Sequence, residues 1–169
     1  MERILGYNSF NESKLVIDGY NVKYELERKR IIDPNTNLTY TIYYGINAIS
    51  NDYLTTIYSG KNAVNIEGVE PSSQDIWMHS HGTPGCHLII KAIVDDKIPE
   101  YIIIEASKIA KKNSKSKDLD KSIVGFCYKD YIKKDSNSKI GEVYITPISA
   151  KNYVEITKGG CRIVNNPTF

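Results

Sequence analysis

Hydrophobic and polar residues alternate along much of this chain with the period of two that is typical of β-strands. Val22, Tyr24 and Leu26, for example, alternate with charged residues. Patterns of this kind predict strands over residues 13–25, 28–32, 38–45, 53–59, 75–81, 87–94, 122–128, 141–146 and 151–157. The first two form a hairpin or strand pair that Asp33-Pro34-Asn35 closes as a turn.

One stretch has helical periodicity instead. Ile102, Ala106, Ile109 and Ala110 recur on one side of a helix that begins near Pro99 and spans residues 99–113. Residues 113–121 are polar and predict a loop. Many strands with one main helix and short helical segments predict an α+β fold, a single domain with a largely antiparallel sheet.

Composition narrows the class of protein. With 169 residues, of which 41% are hydrophobic, the chain can bury a core without disulfides or a metal. Three cysteines without paired spacing do not predict a disulfide framework or a cysteine-rich zinc site. The N-terminus lacks an apolar signal core and no apolar run is long enough to span a membrane, so we expect a cytoplasmic protein without a membrane partner. We also expect no cofactor.

The most distinctive segment, residues 75–91, holds the only Trp and all three His around a Thr83-Pro84-Gly85 turn. Alternation along a strand places Trp77, His79 and His81 on one face. With His87 across the turn, and Cys86 or Asp75 as a fourth ligand, the imidazoles could hold zinc or iron. A Cys86–His87 nucleophile pair is disfavoured, since adjacent strand residues point to opposite faces.

Charge is distributed unevenly. Residues 1–99 contain 9 Lys/Arg and 12 Asp/Glu, whereas residues 100–169 contain 13 and 8. On the predicted helix and just beyond it, four lysines recur at i, i+3, i+4 and i+7, and they form what we call the lysine arc: Lys108, Lys111, Lys112 and Lys115. With Lys133 and Lys134, this arc could neutralise phosphates. The alternative is an ordinary solvated face.

The segment Asp75-Ile76-Trp77-x-His79, followed by Pro84-Gly85-x-His87 and an apolar strand, resembles the signature of the NFACT-R domain. This is the predicted RNA-binding module of the NEMF/RqcH/fibronectin-binding-protein-like family, which works in ribosome-associated quality control. Residues 40–55, with a Gly-x-Asn-Ala turn and an Asn51-Asp52-x-Leu-Thr continuation, resemble a second block of that family. The resemblance spans roughly residues 38–157. It leaves residues 1–37 as an N-terminal extension of predicted strands and residues 158–169 as a C-terminal tail.

A short local duplication complicates the register of this match. TIYYGINA at residues 41–48 recurs as TIYSGKNA at residues 56–63. We favour the first copy for the family's turn and treat Lys61 as a nearby basic supplement. Asn47, Asn51 and Asp52 also have a purely structural interpretation as turn caps, and Trp77 as a core residue rather than a stacking surface.

The resemblance implies a standalone, non-catalytic module that binds RNA, either rRNA or tRNA, with the ribosome as a further possible partner. Two alternatives remain: a DNA-binding protein with the same basic surface, and a metal-dependent hydrolase or nuclease that uses His79, His81 and His87. The predicted nucleic-acid-binding residues are Asn47, Asn51, Asp52, Lys61, Trp77, His79, His81, Pro84, Gly85, His87, Lys108, Lys111, Lys112, Lys115, Lys133 and Lys134.

Overall fold

The structure, a computed structural model, describes residues 3–5, 12–18 and 23–165. Their main feature is one nine-stranded sheet in which all neighbours are antiparallel. In chain order its strands are β1 (Arg3–Leu5), β2 (Glu12–Asp18), β3 (Lys23–Ile32), β4 (Thr39–Gly45), β5 (Ile76–Ser80), β6 (Leu88–Ile90), β7 (Ser122–Tyr128), β10 (Asn152–Thr157) and β11 (Gly160–Val164). Their spatial order is β1-β2-β3-β4-β6-β5-β7-β10-β11.

Two helices and a small two-stranded sheet complete the described part of the chain. The helices are α1 (Ala48–Thr56) and α2 (Glu100–Lys112), and the small sheet pairs β8 (Ile132–Lys133) with β9 (Tyr144–Ile145). Short 3-10 turns span Lys129–Tyr131 and Ile148–Ala150. The α+β prediction with a largely antiparallel sheet is confirmed. Within the described residues, no helix is both long and apolar enough to cross a membrane.

Several element predictions were wrong in detail. Residues 48–56 form a helix where we predicted a strand from residue 53, because the Asn47 side chain accepts a hydrogen bond from the Ser50 N–H at 2.8 Å and caps a helix there. β3 runs unbroken through residues 25–28, where we predicted an interruption. The strand predicted at 141–146 is reduced to β9 and pairs outside the main sheet. Residues 160–164, assigned to the tail, form the edge strand β11.

The two faces of the sheet carry separate hydrophobic cores. One core contains Ile76 and Met78 and packs against Ile102 and Ala106 of α2, as the helical periodicity predicted. The other core contains Trp77 and lies on the side of α1. Strand alternation therefore separates neighbouring residues of β5 between the two cores, as the sequence predicted.

A buried ion pair connects the central strands to the second copy of the duplicated segment. The Asp75 carboxylate accepts hydrogen bonds from Lys91 Nζ at 2.6 Å, from the Gly60 N–H at 2.9 Å and from the Ala92 N–H at 2.8 Å. Burial raises the pKa of Asp75, and Lys91 opposes that shift. Asp75 is thus occupied in holding the loop at Gly60 and does not act as a metal ligand with the His residues.

Candidate nucleic-acid interface

A cleft of about 730 Å³ opens where β4 ends, α1 begins and the loop after β5 returns towards β6. Six of the predicted binding residues line it: Asn47, Asn51, His79, Pro84, Gly85 and His87. These residues lie up to 40 positions apart in sequence, and the antiparallel pairing of β4 and β5 with β6 brings them together. We call this site the imidazole cleft.

His87 is a buried residue of the imidazole cleft. Its side chain is 5% exposed, and its Nδ1 lies 2.7 Å from Thr55 Oγ1 of α1. Its backbone N–H donates to Asn51 Oδ1 at 3.0 Å. Burial lowers the pKa of His87 to about 4, and the neighbouring His79 adds to the effect. The ring is therefore neutral at physiological pH.

Three aromatic rings pack together beside the cleft. The ring of His79 stacks on Trp77 with 5.9 Å between centroids, and the ring of His87 meets both at a steep angle. Burial also lowers the pKa of His79. Trp77 itself belongs to the core, is 6% exposed and does not line the cleft, so it reaches the site only through the two imidazoles.

The predicted Asn-Asp pair organises the walls of the cleft. Asn51 lies so close to Gly45 that a Cβ on that glycine would be 2.2 Å from Asn51 Oδ1. Asp52 pairs with Lys134 Nζ at 2.8 Å and accepts from the Gly141 N–H at 3.0 Å. Gly141 lines the cleft, so this ion pair holds the loop that follows β8 against it.

The C-terminal end of α2 is attached to the same cleft. The Lys115 N–H donates to the Pro84 carbonyl at 2.9 Å, and Gly85 forms a bridge with Ser114. A Cβ on Gly85 would lie 2.9 Å from Ser114 Cβ, so glycine permits this close approach. The end of the lysine arc is therefore adjacent to the loop that bears the His residues.

The lysines do not all have the same surroundings. Lys108, Lys112 and Lys115 are exposed, and Lys111 is partly buried. Lys108 pairs with Glu105 at 2.7 Å, and Lys111 Nζ donates to the Lys117 carbonyl at 2.7 Å. Lys61 and Lys133 are also exposed. The backbone N–H of Lys61 donates to Asp130 at 3.2 Å, which ties its loop to the turn before β8.

His81 lies outside the cleft. Its Nδ1 accepts from Lys151 Nζ at 3.0 Å, and its ring meets the ring of Tyr153 edge to face with 5.3 Å between centroids. The sequence analysis did not identify Lys151 or Tyr153. Alternation along β10 assigns Tyr153 to one face of the sheet, but only the strand order shows that this is also the face of His81.

The three imidazoles do not form the metal site considered as an alternative. Over the described ranges, no group of three or more His, Cys, Asp or Glu side chains is arranged to hold a metal ion. His87 uses Nδ1 with Thr55, while His81 pairs with Lys151 on another part of the sheet. Burial raises the pKa of Cys86 to about 12, which disfavours the thiolate form that a cysteine nucleophile requires.

Comparisons with known proteins agree with the resemblance found in the sequence. The chain is 31% identical over 115 residues to the Rqc2 homolog RqcH of Bacillus subtilis strain 168. This match covers 63% of the chain and 18% of the relative, so the chain corresponds to less than a fifth of that protein. No protein-family model matches.

A solved structure shares the fold. The C-terminal part of the fibronectin/fibrinogen-binding protein from Streptococcus suis superimposes with a TM-score of 0.58 at 20% sequence identity. The match covers 76% of this chain and 44% of the solved one. The chain is thus partly homologous to RqcH and shares its architecture with a domain of a fibronectin-binding protein, consistent with an NFACT-type domain.

Proposed function

We propose that this domain is a non-catalytic RNA-binding module of the cytoplasm, and that its RNA is ribosomal RNA or tRNA. The observation that carries this proposal is the imidazole cleft, in which neutral His and Asn side chains lie next to the exposed lysines at the end of α2. The partial homology to RqcH supports a role on the ribosome.

The chemistry of the cleft suits an unpaired nucleotide. Its volume falls within the range of sites that enclose small ligands. Single-stranded RNA is recognised through base edges that are held by hydrogen bonds and through base faces that stack on rings. His79 is held in position by its stacking on Trp77, so the ring is oriented before RNA arrives. Because the His79 ring is already fixed in its orientation, less conformational entropy is lost when RNA binds.

Phosphate contacts would come from two sources at the rim. Lys112 and Lys115 extend from the end of α2, which the Lys115–Pro84 hydrogen bond fixes beside the cleft. The first turn of α1, which begins at Ala48 on the cleft wall, has backbone N–H groups and a positive dipole end. Both sources act on the phosphate backbone irrespective of sequence.

The test is fluorescence anisotropy with labelled RNA hairpin, single-stranded RNA and duplex DNA at 50 and 200 mM salt. We expect the wild-type protein to bind RNA more tightly than DNA. We expect Lys112→Glu to weaken RNA binding and to reduce the salt slope by about one. A slope smaller by one means that the affinity falls about fourfold less between the two salt concentrations.

The matched control is Lys97→Glu. Lys97 is also exposed and the charge change is identical, but it lies before the opposite end of α2. If the two variants bind RNA equally well, the lysine arc does not contact RNA. Tighter binding of duplex DNA would favour the DNA-binding alternative, and RNA cleavage in a magnesium- or zinc-containing sample would overturn the non-catalytic assignment.

A further inference from the structure

A second polar and aromatic cluster lies on the sheet face that carries Trp77, beyond the area over which α1 packs. Its members are His81, which directly follows β5, Lys151, which directly precedes β10, Tyr153 of β10, and Gly125 of β7 between them. All three side chains are partly exposed. α1 packs on β3, β4 and β6, and α2 packs on the opposite face.

Gly125 is what brings this cluster together. It pairs with Tyr153 on one side and with His79 on the other, so any side chain at residue 125 would point into the cluster. A Cβ there would lie 2.3 Å from Lys151 Cε. Because the glycine leaves this space open, the lysine stem crosses over β7, and the rings of His81 and Tyr153 meet across the strand between them.

The cluster combines a ring with a fixed cation. Lys151 Nζ lies 3.0 Å from His81 Nδ1 and 5.2 Å from the centroid of the Tyr153 ring. The imidazole nitrogen that accepts from this ammonium carries no proton, so the other ring nitrogen of His81 does. Unpaired bases stack on aromatic rings that have a cation beside them, and here the two rings flank β7.

The position of the cluster links it to the imidazole cleft. His79 lines the cleft and is the direct cross-strand neighbour of Gly125, which in turn neighbours Tyr153. Two strand spacings, about 10 Å, thus separate the cleft wall from the Tyr153 backbone. A single strand that leaves the cleft past His79 would reach this ring next.

We propose that Tyr153, His81 and Lys151 form a stacking subsite for an unpaired RNA base, with Lys151 contacting the adjoining phosphate. This subsite rests on the proposed RNA-binding function and extends it from the cleft to the open sheet face. It selects for unpaired RNA, because the stacking surface of a paired base is occupied by its neighbours in the helix.

The test compares Tyr153→Leu, Tyr153→Phe and Lys151→Met by anisotropy on a single-stranded 12-nucleotide RNA and on a fully paired RNA duplex. We expect Tyr153→Leu to weaken single-strand binding by about 5- to 150-fold, the loss of one base–aromatic stack. Tyr153→Phe retains the ring and should bind as the wild type does. Tyr101→Leu, which removes a 41% exposed tyrosine from α2, is the matched control.

Lys151→Met keeps the apolar stem over Gly125 and removes only the charge. This variant should reduce the salt slope of single-strand binding by about 0.7. If Tyr153→Leu fails to fold, the salt slope of Lys151→Met tests the subsite in its place. Wild-type affinity for single-stranded RNA in the folded Tyr153→Leu variant, or an unchanged salt slope in Lys151→Met, would refute the subsite. If the wild-type protein binds only the RNA duplex and not the single strand, the subsite is refuted but RNA binding is not. If the wild-type protein binds neither RNA, the subsite and the proposed RNA-binding function are both refuted.

Discussion

Stability should fall at mildly acidic pH because His87 is buried as a neutral ring. Its pKa is about 4 in the folded protein, where burial and His79 disfavour the charged form. In the unfolded chain it is about 6.5. The unfolded state therefore binds more protons between these two values, so the contribution of His87 is complete above about pH 6.5 and is lost as the pH falls towards 4.

The size of the effect follows from the two pKa values. Between pH 8 and pH 5, His87 alone should lower the free energy of unfolding by about 2 kcal/mol. For a domain of this length, that corresponds to a fall in Tm of about 4–8 °C. His79 shifts in the same direction and adds to the total.

The assay is urea denaturation followed by circular dichroism at several pH values, for the wild type, His87→Gln and His81→Gln. Glutamine at residue 87 can still hydrogen-bond to Thr55 but does not titrate. We expect His87→Gln to lose most of the difference between pH 8 and pH 5, whatever its stability at pH 8. His81→Gln should retain it, because His81 is only partly buried. An undiminished difference in His87→Gln would refute a neutral, buried His87.

Three further substitutions test the packing that builds the cleft. Lys91→Met leaves the Asp75 carboxylate buried without its partner and should lower the free energy of unfolding by about 3–5 kcal/mol in urea titrations; a loss below 1 kcal/mol would show that the pair is not buried. Gly45→Ala forces a methyl group against Asn51 and should cost about 1–3 kcal/mol and weaken RNA binding, whereas wild-type values for both would contradict the close approach. Asn47→Ala removes the N-cap of α1 and should cost about 1 kcal/mol by the same measurement; no loss would mean that the cap is dispensable.

Strand alternation and helical periodicity predicted much of the secondary structure because each depends on local geometry. The period of two assigned Trp77 and Met78 to opposite faces, and the helical spacing located α2, because burial of one face imposes that spacing. The same reasoning failed at residues 48–56, where one side-chain cap on Asn47 outweighed the strand-forming residues that follow.

The sequence by itself determined the α+β class, the main helix α2, the His-bearing turn and the basic C-terminal part. Only the tertiary structure decided which of these residues meet. Because of the strand order, His79 and His87 line one cleft, whereas His81 contacts Lys151 and Tyr153 across Gly125. Strand order depends on contacts between residues far apart in the chain, and a single sequence shows only the periodicity of each strand and not its neighbour.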